Sequence, residues 1–487
     1  MSNAAASSST AAGRKEVSPN TLFIRTLFTV QIFGAIIAGA NYFLHVQAHS
    51  DGNNTIKSAF QAVCAAPSSP SPTSLYRAYT DIPALDYIAC LLNTFFTTLL
   101  TPPNRVTFAS LLLSLPIAYF PILLDASILF KHRPLLAIAV PLVFGCIGQL
   151  KGAGLYFPLY WLFSLMAQVQ PRAEGRKAIR TAYDRPFVLA TCIAAILGGL
   201  IPTVVMILWT QELTPGAVPS ELALGVMTLW QFFPVYCAVI QLGIWLNLEM
   251  LTPPPPPVKE GEAKAEASTS AAAEPEPELG QDPVSHYVIL GTFAVLALTV
   301  TVLGHLPFVL EMLYPSKSTV AAATESASEA AESTGSLIKS YFQKQVAQVP
   351  LLAQFAPPAA APSSVPAVPQ TFIEKWRPTR SLDAALEFLG ASLVPPYDPH
   401  ASRTPTSASI PLSIAQHEIV RFIQWDGIFL GLGTWLAGVW SWPWGTARFD
   451  VPAVLAATIL LSVGVFTVLG PAAFLAVPFV AGELLRA

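Results

Sequence analysis

The 487-residue chain is 53% hydrophobic and 11% charged, and its 26 Lys and Arg against 29 Asp and Glu give a formal net charge of −3. A soluble globular protein carries about 25% charged residues, so this composition argues against a soluble multidomain enzyme. The slightly acidic balance also argues against nucleic-acid binding, which needs a basic surface.

Apolar segments long enough to cross a bilayer, which takes about 20 mostly apolar residues, recur along the chain. They predict an all-α fold, a polytopic transmembrane helix bundle of about eight to ten spans. Two short segments flank Lys151-Gly152-Ala153-Gly154, which favours a tight hairpin. In chain order the segments are Thr21–Phe43, Ile82–Leu100, Val106–Phe130, Pro134–Gln149, Leu155–Val169, Pro186–Thr210, Leu222–Leu246, Tyr287–Leu310, Ile419–Trp440 and Val451–Val480.

Long Pro/Ala-rich linkers, expected to be disordered, divide this array and account for much of the proline, which makes up 44 of 487 residues. The first apolar run is too long for a signal-peptide core and is expected to remain as a membrane helix. The predicted organisation is a disordered N-terminus over 1–20, the first part of the bundle over 21–251, a Pro/Glu-rich linker over 252–284, a transmembrane helix over 285–314, a largely disordered or interfacial loop over 315–413, and C-terminal transmembrane helices over 414–487.

Orientation follows from Lys and Arg in short loops, which favour the cytosol. Loop 170–185 is strongly basic whereas 211–220 has no Lys or Arg, so the first is expected in the cytosol and the second in the lumen. If Ile82–Leu100 spans the membrane, residues 44–80 are cytosolic and the N-terminus is lumenal. The single glycosylation sequon, Asn53-Asn54-Thr55, is then expected to stay unmodified.

Metal, nucleotide and disulfide signals are missing from the sequence. There is no P-loop, no Gly-x-Ser-x-Gly elbow, no His-Glu-x-x-His and no aspartate-rich diphosphate motif. We therefore expect no cofactor and no metal. No cysteine pair has zinc-site spacing and no even framework suggests disulfides, so the cysteines are interpreted as small apolar residues of helix faces. They are Cys64, Cys90, Cys146, Cys192 and Cys237.

Ionisable side chains within spans are costly and mark candidate functional positions. Asp426 lies about two turns inside an apolar helix, where burial favours the protonated carboxyl, the form that a general acid needs. The alternative is a structural hydrogen bond to a neighbouring helix. Asp86 lies in the first two turns of its helix, where the helix dipole favours the carboxylate. It therefore suits an anionic role, such as steering a cation or accepting a proton.

Other polar groups at membrane depth have two readings each. Asp125 lies near the C-terminal end of its span, where it is either a functional carboxyl or a group that reaches interfacial water or Lys131. His305 is either a proton acceptor or an interhelical hydrogen-bonding group. Pro234 frees a backbone carbonyl in mid-span, which Gln231 could satisfy unless it contacts a ligand. Trp230 and the neighbouring aromatic residues either line a cavity or pack between helices.

Five short pieces in a fixed order resemble a family of fungal polytopic membrane proteins of secondary-metabolite pathways. Some of its members are similar to membrane-bound terpene cyclases that act on farnesylated aromatic compounds, or meroterpenoids. The resemblance covers about residues 20–310 and 414–485. The pieces are Leu85-Asp86-Tyr87 with Phe95-Phe96, Gly152-Ala153-Gly154 with Pro158-Leu159-Tyr160, Trp230-Gln231 with Phe233-Pro234, a span ending near His305, and Phe422-Ile423-Gln424-Trp425-Asp426.

The resemblance implies a metal-independent cyclase of the endoplasmic reticulum. One acid protonates an epoxide or terminal alkene of a lipophilic prenylated substrate that partitions into membrane lipid. A dry aromatic cavity then stabilises carbocations and a base takes the final proton. The implied acid is Asp426, the anionic stabiliser Asp86 and the base His305. The implied substrate-binding residues are Trp230, Gln231, Tyr160 and Trp425.

Two other classes of function fit the same polar residues. A proton-coupled transporter or efflux protein would use the buried carboxylates as a proton relay, although the spans lack the repeat symmetry that transporters often carry. In a scaffold or assembly factor, the polar groups would only hold helices together.

Overall fold

In the residues that it describes, the computed structural model contains helices and the irregular connections between them, and no strand. The two predicted linkers lie outside these residues except at their C-terminal ends, as does most of the N-terminal segment 1–20. The structure describes residues 19–46, 63–64, 75–80, 82–101, 104–130, 132–168, 184–211, 213, 219–251, 283–313, 411–440 and 451–484.

Several helices begin with proline at their first or second position, where the missing N–H costs no hydrogen bond. Three helices continue through a short π-helical turn. The described helices are α1 (Pro19–Asn41, continued by Tyr42–Val46), α2 (Pro83–Leu100), α3 (Arg105–Leu129), α4 (Pro134–Lys151), α5 (Ala153–Ala167), α6 (Arg185–Ala194, continued by Ala195–Leu200), α7 (Ile201–Trp209), α8 (Glu221–Trp230), α9 (Phe233–Leu251), α10 (Pro283–Val300, continued by Thr301–His305), α11 (Leu306–Leu313), α12 (Pro411–Trp440), α13 (Val451–Leu469) and α14 (Pro471–Leu484).

Seven helical segments of the described chain are long and apolar enough to cross a membrane. Four shorter apolar segments accompany them. The predicted all-α transmembrane bundle is therefore confirmed, and the protein is an integral membrane protein. The seven segments are Thr26–His45, Pro83–Leu100, Arg105–Leu129, Pro134–Lys151, Arg185–Trp209, Phe233–Leu251 and Val284–Leu310.

Glycine and proline decide where the apolar segments break. The expected hairpin forms at Gly152, whose φ of 104° ends α4 and lets α5 fold back, so that Phe144 and Tyr160 pack with ring centroids 5.4 Å apart. The single predicted span over 451–480 is wrong. It is two helices, because Gly470 with a φ of 91° is followed by Pro471.

Helix α3 forms the centre of the bundle and is buried along most of its length. Two contacts determine the direction of the neighbouring helix α10 relative to α3. Ser110 lies against Gly304 and Phe120 packs on Phe293 with centroids 4.9 Å apart, so α3 and α10 are antiparallel.

Helix α1 runs antiparallel to α12. Gly39 lies against Phe429, and Phe43 stacks on Trp425 with centroids 3.9 Å apart. Gly427 of α12 lies against Leu111, near the beginning of α3. The C-terminal end of α1 and the N-terminal end of α3 therefore lie at the same end of the bundle.

The segment before α2 and the beginning of α8 also lie together. Arg77 Nη2 lies 2.7 Å from Glu221 Oε1, and Arg77 Nε donates to both carboxylate oxygens. The sequence predicted that residues 44–80 and 211–220 lie on opposite sides of the membrane. The structure instead places Arg77 and Glu221 in contact, so the residues before α2 and the beginning of α8 lie at the same end of the bundle.

Candidate functional site

A cavity of about 590 Å³ lies between α2, α3, the α4–α5 turn, the α8–α9 break and α12. Leucine and isoleucine make up much of its wall, and eight aromatic side chains complete it. Such a wall suits a hydrocarbon ligand of moderate size. The aromatic residues are Tyr87, Phe95, Phe96, Phe108, Phe157, Trp230, Phe233 and Phe422.

Asp426 is the carboxylic acid in this wall. Its residue is 8% exposed, and its Oδ1 accepts a hydrogen bond of 2.6 Å from the backbone N–H of Gly154. Gly154 belongs to the first turn of α5, where N–H groups have no partner within the helix. The apolar wall favours a neutral carboxyl, whereas the helix N-terminus favours a carboxylate. Both protonation states of Asp426 thus have physical support.

Two glycines make room for Asp426. A Cβ atom at Gly152 would lie 2.7 Å from Asp426 Oδ1. A Cβ atom at Gly154 would overlap the Asp426 carbonyl oxygen and lie 2.9 Å from Oδ1. The pattern Gly152-Ala153-Gly154, which the sequence predicted only as a hairpin turn, therefore also lets α12 approach the beginning of α5 and places the Asp426 carboxyl there.

Three other polar side chains line the cavity, and sequence reasoning missed them. Gln149 has a buried Nε2 with no hydrogen-bond partner in the described part of the chain. Lys151 is exposed and His45 is half-buried. Gln149 and Lys151 directly precede the glycine turn, so their nearness to that motif was the signal that could have identified them.

Of the four predicted substrate-binding residues, the structure brings Trp230 to the cavity. Its ring packs edge-to-face on Phe96 at 5.1 Å, and its Nε1 donates to Thr203 Oγ1 at 2.9 Å. Gln231 lies at the break between α8 and α9, outside the lining, with both amide atoms buried and unpartnered among the described residues. Trp425 stacks on α1 rather than lining the cavity.

Tyr160, the fourth predicted binding residue, belongs to a separate buried polar cluster. Its hydroxyl donates to Asp125 Oδ2 at 2.9 Å, and Ser164 donates to the same oxygen. Gln168 donates to Asp125 Oδ1 at 3.4 Å. The cluster joins the C-terminal halves of α3 and α5, so it satisfies the Asp125 carboxyl between helices.

Asp86 and His305 lie outside the cavity lining. Asp86 is 1% exposed, and its Oδ1 accepts hydrogen bonds from the backbone N–H groups of Tyr79 and Thr80 and from the Thr80 hydroxyl. This carboxyl holds the preceding segment against the first turn of α2. His305 lies in the π-helical turn after α10, where its ring touches Gly470. The structure thus does not bring the three predicted catalytic side chains together.

The interpretation of all cysteines as apolar fillers is wrong for two of them. Cys64 and Cys90 form a disulfide that connects the segment before α2 to the middle of α2. Their separation of 26 residues carries no recognisable spacing. Cys146, Cys192 and Cys237 are free thiols.

Comparison with known proteins identifies the family of the chain. A family model described as the CtvD domain matches residues 28–274, just over half of the chain. The chain belongs to the CtvD-domain family. This membership points to a role in a secondary-metabolite pathway. The matched residues include Gly154 and Trp230 but end before Asp426. No curated protein and no solved structure matches the chain.

Proposed function

We propose that the protein is a membrane-embedded cyclase, acting on a lipophilic prenylated compound such as a farnesylated aromatic or its epoxide. The observation that carries this proposal is a buried carboxyl, Asp426, in the wall of an apolar cavity with eight aromatic side chains. Family membership supports a secondary-metabolite role. The endoplasmic reticulum, where lipophilic intermediates reside in the bilayer, is the proposed location.

The first step requires one proton. Since Asp426 Oδ1 accepts the N–H of Gly154, the proton is carried on Oδ2. It passes to the epoxide oxygen while a C–O bond breaks, and the carbon left electron-poor is attacked by the π electrons of a neighbouring alkene. This forms a C–C bond and moves the positive charge along the chain. The final C–H proton returns to the Asp426 carboxylate, which restores the acid.

The wall suits the cations formed between these events. Aromatic faces attract a positive charge within about 6 Å, and desolvation strengthens the attraction to about 2 kcal/mol or more per ring. Phe96 and Trp230 pack against each other in the lining. The largely apolar wall also disfavours water, which would capture a cation before ring closure.

Gln149 provides a buried hydrogen-bond donor in the cavity wall. An unpaired buried donor costs about 1–3 kcal/mol, so the Gln149 amide favours a ligand that brings an acceptor oxygen. A carbonyl or phenol oxygen on the aromatic part of the substrate meets this need. We therefore propose that Gln149 orients the polar end while the prenyl chain extends toward Asp426.

The test uses microsomes containing the full chain and a farnesylated phenol or its terminal epoxide, with products separated by mass spectrometry. We expect a cyclised isomer of the substrate, reduced at least about 100-fold in Asp426→Asn, since removing a general acid costs about 10²–10⁴-fold. Glu249→Gln makes the same chemical change on the exposed surface of α9 and serves as the matched control.

Two outcomes would contradict the proposal. One is equal product from Asp426→Asn and the wild-type protein. The other is unchanged substrate moving across sealed vesicles in proportion to a pH gradient, because this is the behaviour of a proton-coupled transporter.

A further inference from the structure

The N-terminus and the C-terminus of helix α2 both lie on the same side of the bundle. Before it, Arg77 pairs with Glu221 at the start of α8. After it, Arg105 donates to the carbonyl oxygens of Leu100 and Leu213. Leu213 lies in the connection between α7 and α8, and Glu221 is the first residue of α8 after that connection. A helix of 18 residues is about 27 Å long, so a crossing helix would place these contacts on opposite membrane surfaces.

The contacts along α2 agree with this placement. Phe96 packs on Phe108 in the first turn of α3, with centroids 5.7 Å apart. Asn93 Nδ2 donates to Thr228 Oγ1 of α8 at 2.8 Å. Phe95 packs edge-to-face on Phe422 at 5.9 Å. Helix α2 therefore lies against the beginning of α3, the last turn of α8 and the first half of α12.

The cavity lies directly beneath α2. Six of its residues line the cavity at helical spacing, which places them on one face of the helix. The opposite side carries the disulfide half Cys90 and the buried Asn93. The six lining residues are Tyr87, Ile88, Leu91, Leu92, Phe95 and Phe96.

The basic loop and the disulfide indicate which membrane surface lies at the end of the bundle that holds α2. The basic loop 170–185 precedes α6, and α6–α7 leads from that loop to Leu213. If basic loops are cytosolic, Leu213 lies on the opposite, exoplasmic surface. The Cys64–Cys90 disulfide lies at the same end as Leu213, and disulfides persist in oxidising compartments rather than in the cytosol. The two arguments are independent and agree.

We propose that α2 does not cross the membrane but lies along the exoplasmic end of the bundle as the roof of the cavity, held by the Cys64–Cys90 disulfide and the Arg77–Glu221 ion pair. The disulfide is the stronger of the two attachments, because an exposed ion pair contributes about 0–1 kcal/mol. Val46, at the end of α1, and Ile82, before α2, then both lie on the exoplasmic side. This reverses the sequence-based prediction for the Asn53 sequon, which becomes a site for glycosylation.

Topology is measured without reference to activity, so a failure here is distinct from a failure of the proposed function. Two sequon variants of the full chain are expressed in a eukaryotic secretory system. Pro67→Asn makes an acceptor with Ser69, and Ile179→Asn makes one with Thr181 in the basic loop. Because the native Asn53 sequon is present in every variant, the wild-type chain is the reference. We expect an additional endoglycosidase-sensitive shift for Pro67→Asn and no shift beyond that of the wild-type chain for Ile179→Asn.

Thiol labelling provides a second measurement that does not depend on the glycosylation machinery. Sealed microsomes expose their cytosolic surface to a membrane-impermeant maleimide. Asp184→Cys, at the exposed start of α6, is expected to label at once, whereas Arg77→Cys labels only after permeabilisation. Labelling of Arg77→Cys in sealed microsomes would overturn the proposal, whether or not Pro67→Asn is glycosylated.

The disulfide is tested on the same membranes. After free thiols are blocked under denaturing conditions, reduction is expected to release two further thiols for a polyethylene-glycol maleimide, and none in the Cys64→Ser/Cys90→Ser double variant. If the number of reactive thiols is the same before and after reduction, the disulfide does not hold α2, and this part of the proposal is wrong.

Discussion

The contact between α5 and α12 depends on Gly154 having no side chain, and Gly154→Ala tests this directly. A Cβ atom at Gly154 would overlap the Asp426 carbonyl oxygen and lie 3.0 Å from its carbonyl carbon. Because these are backbone atoms, no rotamer change relieves the overlap, and the two helices must separate. Overpacking of this kind costs about 1–3 kcal/mol, against which alanine recovers at most about 1 kcal/mol of helix propensity.

The expected net effect of Gly154→Ala is a loss of about 1–2 kcal/mol of stability and a displaced Asp426 carboxyl. A displacement of about 1 Å at a reacting group lowers turnover about 100-fold. Stability is read in detergent with a thiol-reactive fluorophore, because Cys237 is fully buried and becomes reactive on unfolding. Turnover of the prenylated substrate is measured on the same preparation.

Gly431→Ala is the matched control on α12, since the nearest atom to its new Cβ, Leu475 Cδ2, lies at 3.9 Å, an ordinary contact. It should melt at or slightly above the wild-type temperature and keep its turnover. If Gly154→Ala behaves like Gly431→Ala in both assays, the close approach of α12 to α5 does not position the site.

Three further predictions concern single side chains. Gln149→Leu should weaken binding of an oxygen-bearing substrate about 10-fold by competition binding, while binding of the bare prenyl hydrocarbon stays the same or improves; equal losses for both ligands would contradict the role of its amide. Asp86→Asn keeps the accepting oxygen and should retain turnover, whereas Asp86→Ala leaves the N–H groups of Tyr79 and Thr80 unpaired and should lower the melting temperature; a loss of turnover in Asp86→Asn at unchanged stability would return Asp86 to the reaction. Trp230→Phe keeps an aromatic face and should lower turnover less than about 10-fold, and Trp230→Leu considerably more.

The helical bundle can be predicted from the sequence because the length and apolar composition of each segment indicate that it lies in the lipid bilayer. The hairpin at Gly152 was equally accessible, since glycine between two short apolar runs has one simple structural meaning. The placement of α2 was not accessible. Its composition satisfies the requirement for a crossing helix, and only its contacts with residues 213–228 place both ends together.

The candidate site was only partly predictable for a related reason. Asp426 could be singled out because a carboxyl in an apolar helix is conspicuous, and Trp230 because a proline break follows it. Asp86 looked similar in sequence, yet its three hydrogen bonds come from the irregular segment before α2, whose path no periodicity encodes. Gln149 became visible only when the cavity showed which polar atoms lack a partner.

The central claim, that Asp426 delivers a proton to a substrate held in the cavity, is tested most directly by single-turnover chemistry on pre-formed complexes. Purified wild-type, Asp426→Asn and Asp426→Glu proteins are saturated with the epoxide of a farnesylated phenol, bound ligand is measured, and product per bound ligand is followed in time. We expect all three proteins to bind the epoxide, with cyclisation lost in Asp426→Asn and partly retained in Asp426→Glu. Cyclisation of bound epoxide by Asp426→Asn at the wild-type rate would contradict the assignment of Asp426 as the acid.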